Sequence, residues 1–470
     1  MTQVTRSSPA TRARLGRNSG RQPAPALCDG CAFAASIRVE SQAAMKSLAV
    51  ALIGAGNRGR YVFGRFAARH PERMRVVALA EPRADRRAAT AAEHGLGRGQ
   101  VFETWRQLFA AGLPLDAAII ATGDTEHVEP ALEAFARGLH VLLEKPIALD
   151  AADCVRVVEA AERAGRILQI GHVLRHMEFY ARVHQIVASG RLGKLQVMDL
   201  REHVSYWHMA HSYVRGKFRS RELAAPFLLA KSCHDLDLMA WLAGRPAAQV
   251  SSFGGLGAYV PEQAPAGAPA RCSAACPVQA TCPWDAERFY LGPEDDVARH
   301  WPWTDLSADP AREARRRALA QSDYGRCVYR CDNDVVDHQT VSVAFEGGLL
   351  ATLGVHGLAT EERRTLRISG SHGELRGVLQ TGLLEVTRHG DTQLETLRLP
   401  ASVGHASGDR NLLTHFCDAV ASGAGAEARA AGRTALESHL LGFAAERARH
   451  EGRVVDMAAY REEVTRAAGS

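Results

Sequence analysis

The chain reads as an α/β protein, with an N-terminal doubly wound parallel sheet followed by a C-terminal α/β domain on an open, mostly antiparallel sheet. Three observations predict this. From Leu48, strands that are apolar throughout alternate with helix-length amphipathic segments, the pattern of a parallel sheet covered on both faces. A glycine-rich turn, GAGNRG, joins the first strand to the first helix. From Gln339 to Ala401 the pattern changes to short alternating strands such as TVSVAFEG, LLATLGVHG and GLLEVTRHG, which fits an antiparallel sheet.

Taken in order, SLAVALIG is the first buried strand, and GNRGRYVFGRFAARHP continues as a helix that ends before Pro71. RVVALAEP is the second strand and RADRRAATAAEHG its helix. LDAAIIATG, LHVLLEKP and RILQIG supply further strands, with EHVEPALEAFARG and AADCVRVVEAAERAG as helices between them. A final helix around Ala435–Arg449 and the strand GRVVDM close the chain. The predicted divisions are a leader at 1–44, a dinucleotide-binding domain at 45–172, and a substrate and oligomerisation domain at 173–470 with a cysteine-rich insertion at 258–333.

Composition narrows the function classes. A chain of 470 residues, 46% hydrophobic and 23% charged, can bury a substantial core and hold two domains. The 57 Lys and Arg exceed the 52 Asp and Glu by five, and the surplus is spread along the chain, so nucleic acid is not implied. No apolar run approaches the roughly 20 residues needed to cross a bilayer, and no apolar secretory core is present. A cytoplasmic protein is expected. Residues 1–44 carry six arginines against Asp29 and Glu40, without sustained periodicity, and read as disordered. Met45 then reads as the working start. A transit peptide, or a metal-binding pair at Cys28 and Cys31, are the alternatives.

The glycines have separable jobs once the turn is set between strand and helix. Gly54 permits the tight turn, Gly56 lets the backbone approach a pyrophosphate, and Gly59 allows close packing of helix on sheet. Glu81, at the end of the second strand, is placed to accept hydrogen bonds from the adenosine ribose, which favours NAD. Arg83 and Arg87 leave NADP open.

The combination of GAGNRG, ATGDTEH, GLHVLLEKP and CHDLD resembles the glucose-fructose oxidoreductase and inositol dehydrogenase family, Gfo/Idh/MocA. The resemblance runs from Met45 to the C-terminus. It implies a Rossmann domain, a C-terminal α/β domain, and NAD(P)-dependent oxidation or reduction of sugars and polyols. Through these motifs it points to Asn57, Arg58, Thr122 and His127 as cofactor contacts and to Glu144 as a ribose or nicotinamide-side contact. It makes Lys145 a catalytic or hydroxyl-binding residue and Pro146 a candidate cis peptide. At Gly123 and Asp124 the chain departs from the proline and asparagine usual in the family.

Chemistry explains the lysine. Removing a hydride from a carbinol carbon requires the hydroxyl proton to leave, so a base or relay must lie within hydrogen-bond reach of that oxygen. His234, in the first turn of LLAKSCHDLDLMAWLAG, is the histidine favoured to share that work. Ala230 stands where the family usually has aspartate, and Lys231 beside it is an additional candidate acid or base. Asp237 is expected to orient the His234 imidazole. His172 and Arg175 should enter the same cleft. Tyr206, Trp207 and His211 suit a carbohydrate site, since aromatic faces stack on sugar rings and histidines bond hydroxyls. Arg215, Lys217 and Arg219 could read an anionic substituent.

Five of the ten cysteines, Cys272, Cys276, Cys282, Cys327 and Cys331, fall in the insertion with spacing C-x3-C-x5-C and C-x3-C. Four thiolates from these would satisfy a tetrahedral structural zinc in a loop-rich segment without its own core. Reduced structural cysteines are a second reading, and an iron-sulfur cluster a third. Ordering this segment is expected to order Asp332, Asn333, Asp334 and His338 toward the cleft. The expected function is NAD-dependent hydride transfer on a sugar, polyol or sugar derivative, in a homo-oligomer built through the C-terminal sheet. The alternative is an NAD-dependent glycoside hydrolase working by transient oxidation, elimination, water addition and re-reduction. A non-catalytic NAD-binding regulator is a third reading.

Overall fold

Six parallel strands form the first sheet: β1 (Leu48–Ile53), β2 (Met74–Ala80), β3 (Val101–Phe102), β4 (Ala117–Ile120), β5 (His140–Leu143) and β6 (Leu168–Ile170). Their order in space is β3-β2-β1-β4-β5-β6, the dinucleotide-binding order with its reversal between β1 and β4. The computed structural model describes residues 47–469 apart from 223, 273, 274, 402, 403, 405, 424 and 425. The expectations about residues 1–44 and about Cys28 and Cys31 lie outside the described residues. β4 is buried along its whole length and β1 nearly so, because helices cover both faces of the sheet. No helix among the described residues is long and apolar enough to cross a membrane.

The second sheet contains β7 (Leu195–Ser205), β8 (Ala247–Gly255), β9 (His338–Phe345), β10 (Leu350–Ala359), β11 (Arg363–Gly370), β12 (Gly373–Val378), β13 (Leu383–Arg388), β14 (Glu395–Arg398) and β15 (Val455–Asp456). The order is β14-β13-β12-β11-β7-β10-β9-β8-β15. Among the described strands of this sheet, only the β7–β10 pair is parallel. In β9, Gln339, Val341, Val343 and Phe345 are buried while His338, Thr340 and Ser342 are exposed, so one face of this sheet meets the core and the other is open. The helix Phe227–Ala243 covers the inner face, and Ala426–Glu451 packs against it and against β6, tying the two sheets together.

Two differences from the sequence reading have simple causes. The last helix begins well before Ala435 because the alanine-rich approach is itself helical. GRVVDM contributes only the two-residue edge strand β15, since Asp456 caps a further helix, Met457–Ala468, by accepting from the Ala459 N–H.

The turn after β1 shows why glycine is required. Gly54 has φ of 88°, and a Cβ there would lie 2.6 Å from the Ala121 carbonyl oxygen. A Cβ on Gly59 would fall 1.9 Å from the Gly54 carbonyl oxygen. Gly59→Ala is therefore expected to cost about 2–3 kcal/mol through overpacking and to weaken NAD binding. Thermal unfolding and an NAD titration check both, and a variant as stable and as tight-binding as the parent would contradict this account of the turn.

Candidate active site

The loops that leave the carboxyl ends of β4, β5 and β6 carry Thr122–His127, Glu144–Ile147 and His172–Arg175. That edge is where ligands bind in open α/β sheets. The segment after β5 is held from three sides. Glu144 accepts from Arg58 Nε at 2.5 Å and from the Lys145 N–H at 3.1 Å. Arg58 also makes a two-pronged bond to Asp409 at 3.1 and 2.7 Å. His127 Nδ1 lies 2.7 Å from the Pro146 carbonyl oxygen and donates to it, and the Ile147 N–H donates to His439 Nε2 at 3.0 Å. The Lys145–Pro146 bond is cis.

Lys145 Nζ donates to the Ala230 carbonyl at 2.7 Å. It thus reaches the first turn of Phe227–Ala243, the helix that carries His234. His172 sits beside it, with its ring centroid 5.8 Å from His234 and 5.3 Å from His439, nearly perpendicular to both. Burial, then the Arg175 and Lys145 charges, push His172 well below the usual imidazole range, so it is neutral at physiological pH.

Asp237 binds the β6 loop. It accepts from Arg175 at 2.5 and 2.6 Å and lies 3.6 Å from His172 Nδ1. Asp237 thus joins this helix to the β6 loop and holds Arg175. Arg175 is correspondingly committed to Asp237 and lies over the Trp241 ring.

Lys231 is also committed. Its ammonium lies 3.3 Å from Glu202 and 3.5 Å from Glu362. Glu202 is additionally paired with Arg364, which bonds Asp235. Burial pushes Glu202 up to about 7 against the pull of Arg364 and Lys231. Glu362 accepts from Ser205 Oγ and His208 Nδ1 at 2.9 and 2.7 Å. Against the upward push of burial, the His208 bond and Lys231 hold Glu362 well below the usual carboxylate range.

The residues assigned to the cofactor have the following surroundings. The space over Gly56 is open, with only Arg86 Nη1, at 3.7 Å, near where a Cβ would stand. The N–H groups at the start of the Asn57–Gly64 helix follow directly. Glu81 is buried and accepts from the Ala55 and Arg83 N–H groups at 2.7 and 2.9 Å. Thr122 donates to the Glu126 carbonyl. Asp124 is buried, and its Oδ2 has no hydrogen-bond partner among the described residues; relative to the usual asparagine it exchanges an amide donor for a second acceptor.

Other expectations are corrected. His211 is buried, bonded to the Tyr290 hydroxyl at 2.7 Å and to Asp305 at 3.4 Å, so it docks the 258–333 segment. Arg215 is buried and donates to the Arg326 and Trp284 carbonyls. Arg219 is tied to Asp332 and Asp323. Neither is available to an anionic substrate. Asp334 and His338 are likewise occupied, with the Arg221 N–H and with Asp337.

Structural zinc is not supported. Among the described residues no group of three or more His, Cys, Asp or Glu is arranged to hold a metal. Cys272, Cys276, Cys282, Cys327 and Cys331 are free thiols. The premise that the insertion lacks a core also fails. Ala286, Tyr290, Leu291, Leu306 and Leu319 form one, and buried Arg315 ties it to the Pro310, Tyr290 and Pro293 carbonyls.

Asp409, His439, Glu202, Glu362 and His208 were not singled out as site residues from the sequence. Asp409 and His439 act on the β5 loop from helices more than 250 residues further along, and no local pattern announces that.

The neutral histidines set an acid limit. His439 Nδ1 donates to the Ala435 carbonyl, leaving Nε2 as acceptor for the Ile147 N–H, so protonation breaks that bond. Burial and neighbouring charge drive His439 down to about 3 and His176 and His208 to about 4. The unfolded chain therefore binds more protons below pH 6.5, and stability is lost as pH falls from there through the folded values, at about 1.4 kcal/mol per pH unit for each group. Urea midpoints are expected to fall between about pH 7 and pH 5, with a shallower slope in His439→Gln. Stability independent of pH in that window would contradict this.

Residues 48–172 match the GFO_IDH_MocA oxidoreductase family's NAD-binding Rossmann fold, and residues 184–457 match its C-terminal alpha/beta domain. An inositol 2-dehydrogenase of Streptomyces avermitilis is 34% identical over 209 residues, 42% of this chain and 54% of that protein. A 1,5-anhydro-D-fructose reductase of Ensifer adhaerens is 31% identical over 172 residues, 35% of this chain and 50% of that protein. The chain thus spans about half the length of these curated relatives. In fold it is similar to a levoglucosan dehydrogenase solved with NADH and levoglucosan, at TM-score 0.65 and 16% identity over 87% of this chain and 99% of the other. It is also similar to an oxidoreductase from Agrobacterium radiobacter solved with NAD+, L-tartaric acid and magnesium, at TM-score 0.61 and 18% identity over 88% and 99%. With both of its halves matched, the chain belongs to the GFO_IDH_MocA oxidoreductase family.

Proposed function

We propose that the protein is an NAD-dependent dehydrogenase of a sugar, polyol or sugar derivative. The observation that carries this reading is the β5 loop, whose Glu144, Pro146 and Ile147 are each fixed so that Lys145 projects to the first turn of the His234 helix. Gly54, Gly56, Asn57, Arg58, Gly59 and Glu81 would hold the dinucleotide, with Thr122, Asp124, His127 and Glu144 nearer its nicotinamide end. Glu81 supports NAD over NADP. When bound, the cofactor supplies the hydride acceptor.

In this reading Lys145 meets the reacting hydroxyl and stabilises the oxygen as its proton leaves. His234 receives or relays that proton. His172, neutral and buried beside Asp237, packs edge-on against His234 and sets its position. Lys231, already balanced by two carboxylates, acts as counter-charge for Glu202 and Glu362. Trp207 and Tyr206 remain substrate contacts. The glycoside-cleaving alternative is not carried forward, since the relatives named above are dehydrogenases and a reductase. Domain limits at 45–172 and 173–470 and a cytoplasmic location belong to the same reading, the latter supported by the free thiols.

NADH absorbance with a panel of sugars and polyols tests the function. Lys145→Ala should lower kcat/KM by roughly 10²–10⁴-fold with NAD affinity nearly unchanged. Oxidation confined to non-carbohydrate alcohols, or a Lys145→Ala variant of full activity, would sink the proposal.

A homo-oligomer through the open sheet face completes the reading. Phe253 is 76% exposed and Leu350 57%, with Val197 and Leu358 also exposed, more apolar surface than a free sheet face needs. Phe253→Glu with Leu350→Glu should shift the species seen by light scattering to smaller mass. An unchanged mass would rule out this face as the interface.

A further inference from the structure

The aromatic cluster beside His208 has no place in the chemistry at Lys145. Trp301, from the segment between β8 and β9, has its ring 5.7 Å from Trp207, 4.9 Å from His208 and 5.6 Å from His211. It is 37% exposed, although a tryptophan could be buried among so many rings. The ring is fixed nonetheless. Asp305, the carboxylate that faces His211, lies beside it. Trp207 is backed by a ladder in which it stacks on Phe289 at 5.7 Å and 27°, and Phe289 stacks on Trp303 at 5.9 Å and 27°. Trp303 in turn donates its N–H to the Phe289 carbonyl.

The cluster is connected to the reacting centre residue by residue. His208 bonds Glu362, Glu362 pairs with Lys231, and Lys231 follows Ala230, whose carbonyl holds Lys145. His208 donates from Nδ1 to the Glu362 carboxylate, so Nε2 carries a lone pair that can accept from a hydroxyl. Outward from Lys145 the wall therefore presents a hydroxyl acceptor and then a rigid, partly exposed indole.

We propose that Trp301, with Trp207 and His208, forms a second sugar subsite, so that the substrate carries a further pyranose ring beyond the one oxidised at Lys145. The C–H face of that ring stacks on the indole, burying apolar surface with little loss of side-chain freedom because the indole is already fixed. His208 Nε2 accepts from a hydroxyl near the junction of the two rings. This rests on the dehydrogenase reading and narrows its substrate class to disaccharides and longer glycosides.

The test compares glucose with cellobiose, maltose, gentiobiose and trehalose in the wild type, Trp301→Ala and Trp301→Phe, by steady-state kinetics with saturating NAD+. Tryptophan fluorescence titration of the same sugars against protein holding NADH gives a second readout. The wild type should prefer at least one disaccharide to glucose in kcat/KM by tenfold or more. Trp301→Ala should raise KM for that disaccharide about tenfold more than for glucose, equivalent to about 1.4 kcal/mol, with kcat for it within about twofold. Trp301→Phe should recover most of the loss, which separates stacking from a folding defect. Equal losses for glucose and disaccharide, or a wild type that prefers glucose, overturn the subsite. If no sugar yields NADH, the dehydrogenase reading fails by itself. Disaccharide binding seen by fluorescence and weakened in Trp301→Ala would then still support the subsite, and absence of binding would overturn it.

Discussion

Everything at the candidate site depends on how the four residues after β5 are held. Glu144 is gripped by Arg58, which also grips Asp409; Pro146 is gripped by His127; Ile147 is gripped by His439. These partners come from the glycine-turn helix, the β4 loop and two C-terminal helices. The loop is therefore fixed only when both halves of the chain are folded and docked. Dehydrogenation needs its oxygen-stabilising and proton-accepting groups placed within hydrogen-bond reach of the hydroxyl, and a lysine on a free loop would not meet that. His439 acts as a neutral group, since one ring nitrogen donates to the Ala435 carbonyl and the other accepts from the Ile147 N–H.

The parallel sheet was largely legible because its signals are local. Apolar strands and the tight turn at Gly54 and Gly59 each follow from neighbouring residues, and the backbone geometry confirms them. The motif after β5 also pointed to Lys145. Side-chain pairings were less legible. Asp237 lies one turn from His234 along the helix, yet it makes a charge-assisted pair with Arg175 of the β6 loop, which local spacing does not announce. Lys231 looked like a free acid or base until the fold brought Glu202 and Glu362 to it from β7 and the start of β11. Long-range electrostatics leaves no period in a sequence.

The 258–333 segment shows a different limit. Cysteine spacing suggested that a metal ordered it, but Tyr290, Leu291, Leu306 and Leu319 make a small core of their own, and Arg315 satisfies three carbonyls within it. Arg215 extends the same device by bonding the Trp284 and Arg326 carbonyls. Buried arginine takes the place expected for zinc, since five donors can satisfy several irregular backbone carbonyls at once. Charge that looked ready for a substrate is spent on holding the segment, and the segment in turn delivers Trp301 to the His208 wall.

A ternary complex of the protein with NADH and a sugar or polyol it oxidises tests the central claim most directly. The account predicts Lys145 Nζ within hydrogen-bond reach of the hydroxyl on the reacting carbon, with the bonds to Glu144, Pro146 and Ile147 unchanged. A complex in which that hydroxyl is bound by other groups, while Lys145 still points only to the Ala230 carbonyl, would contradict it.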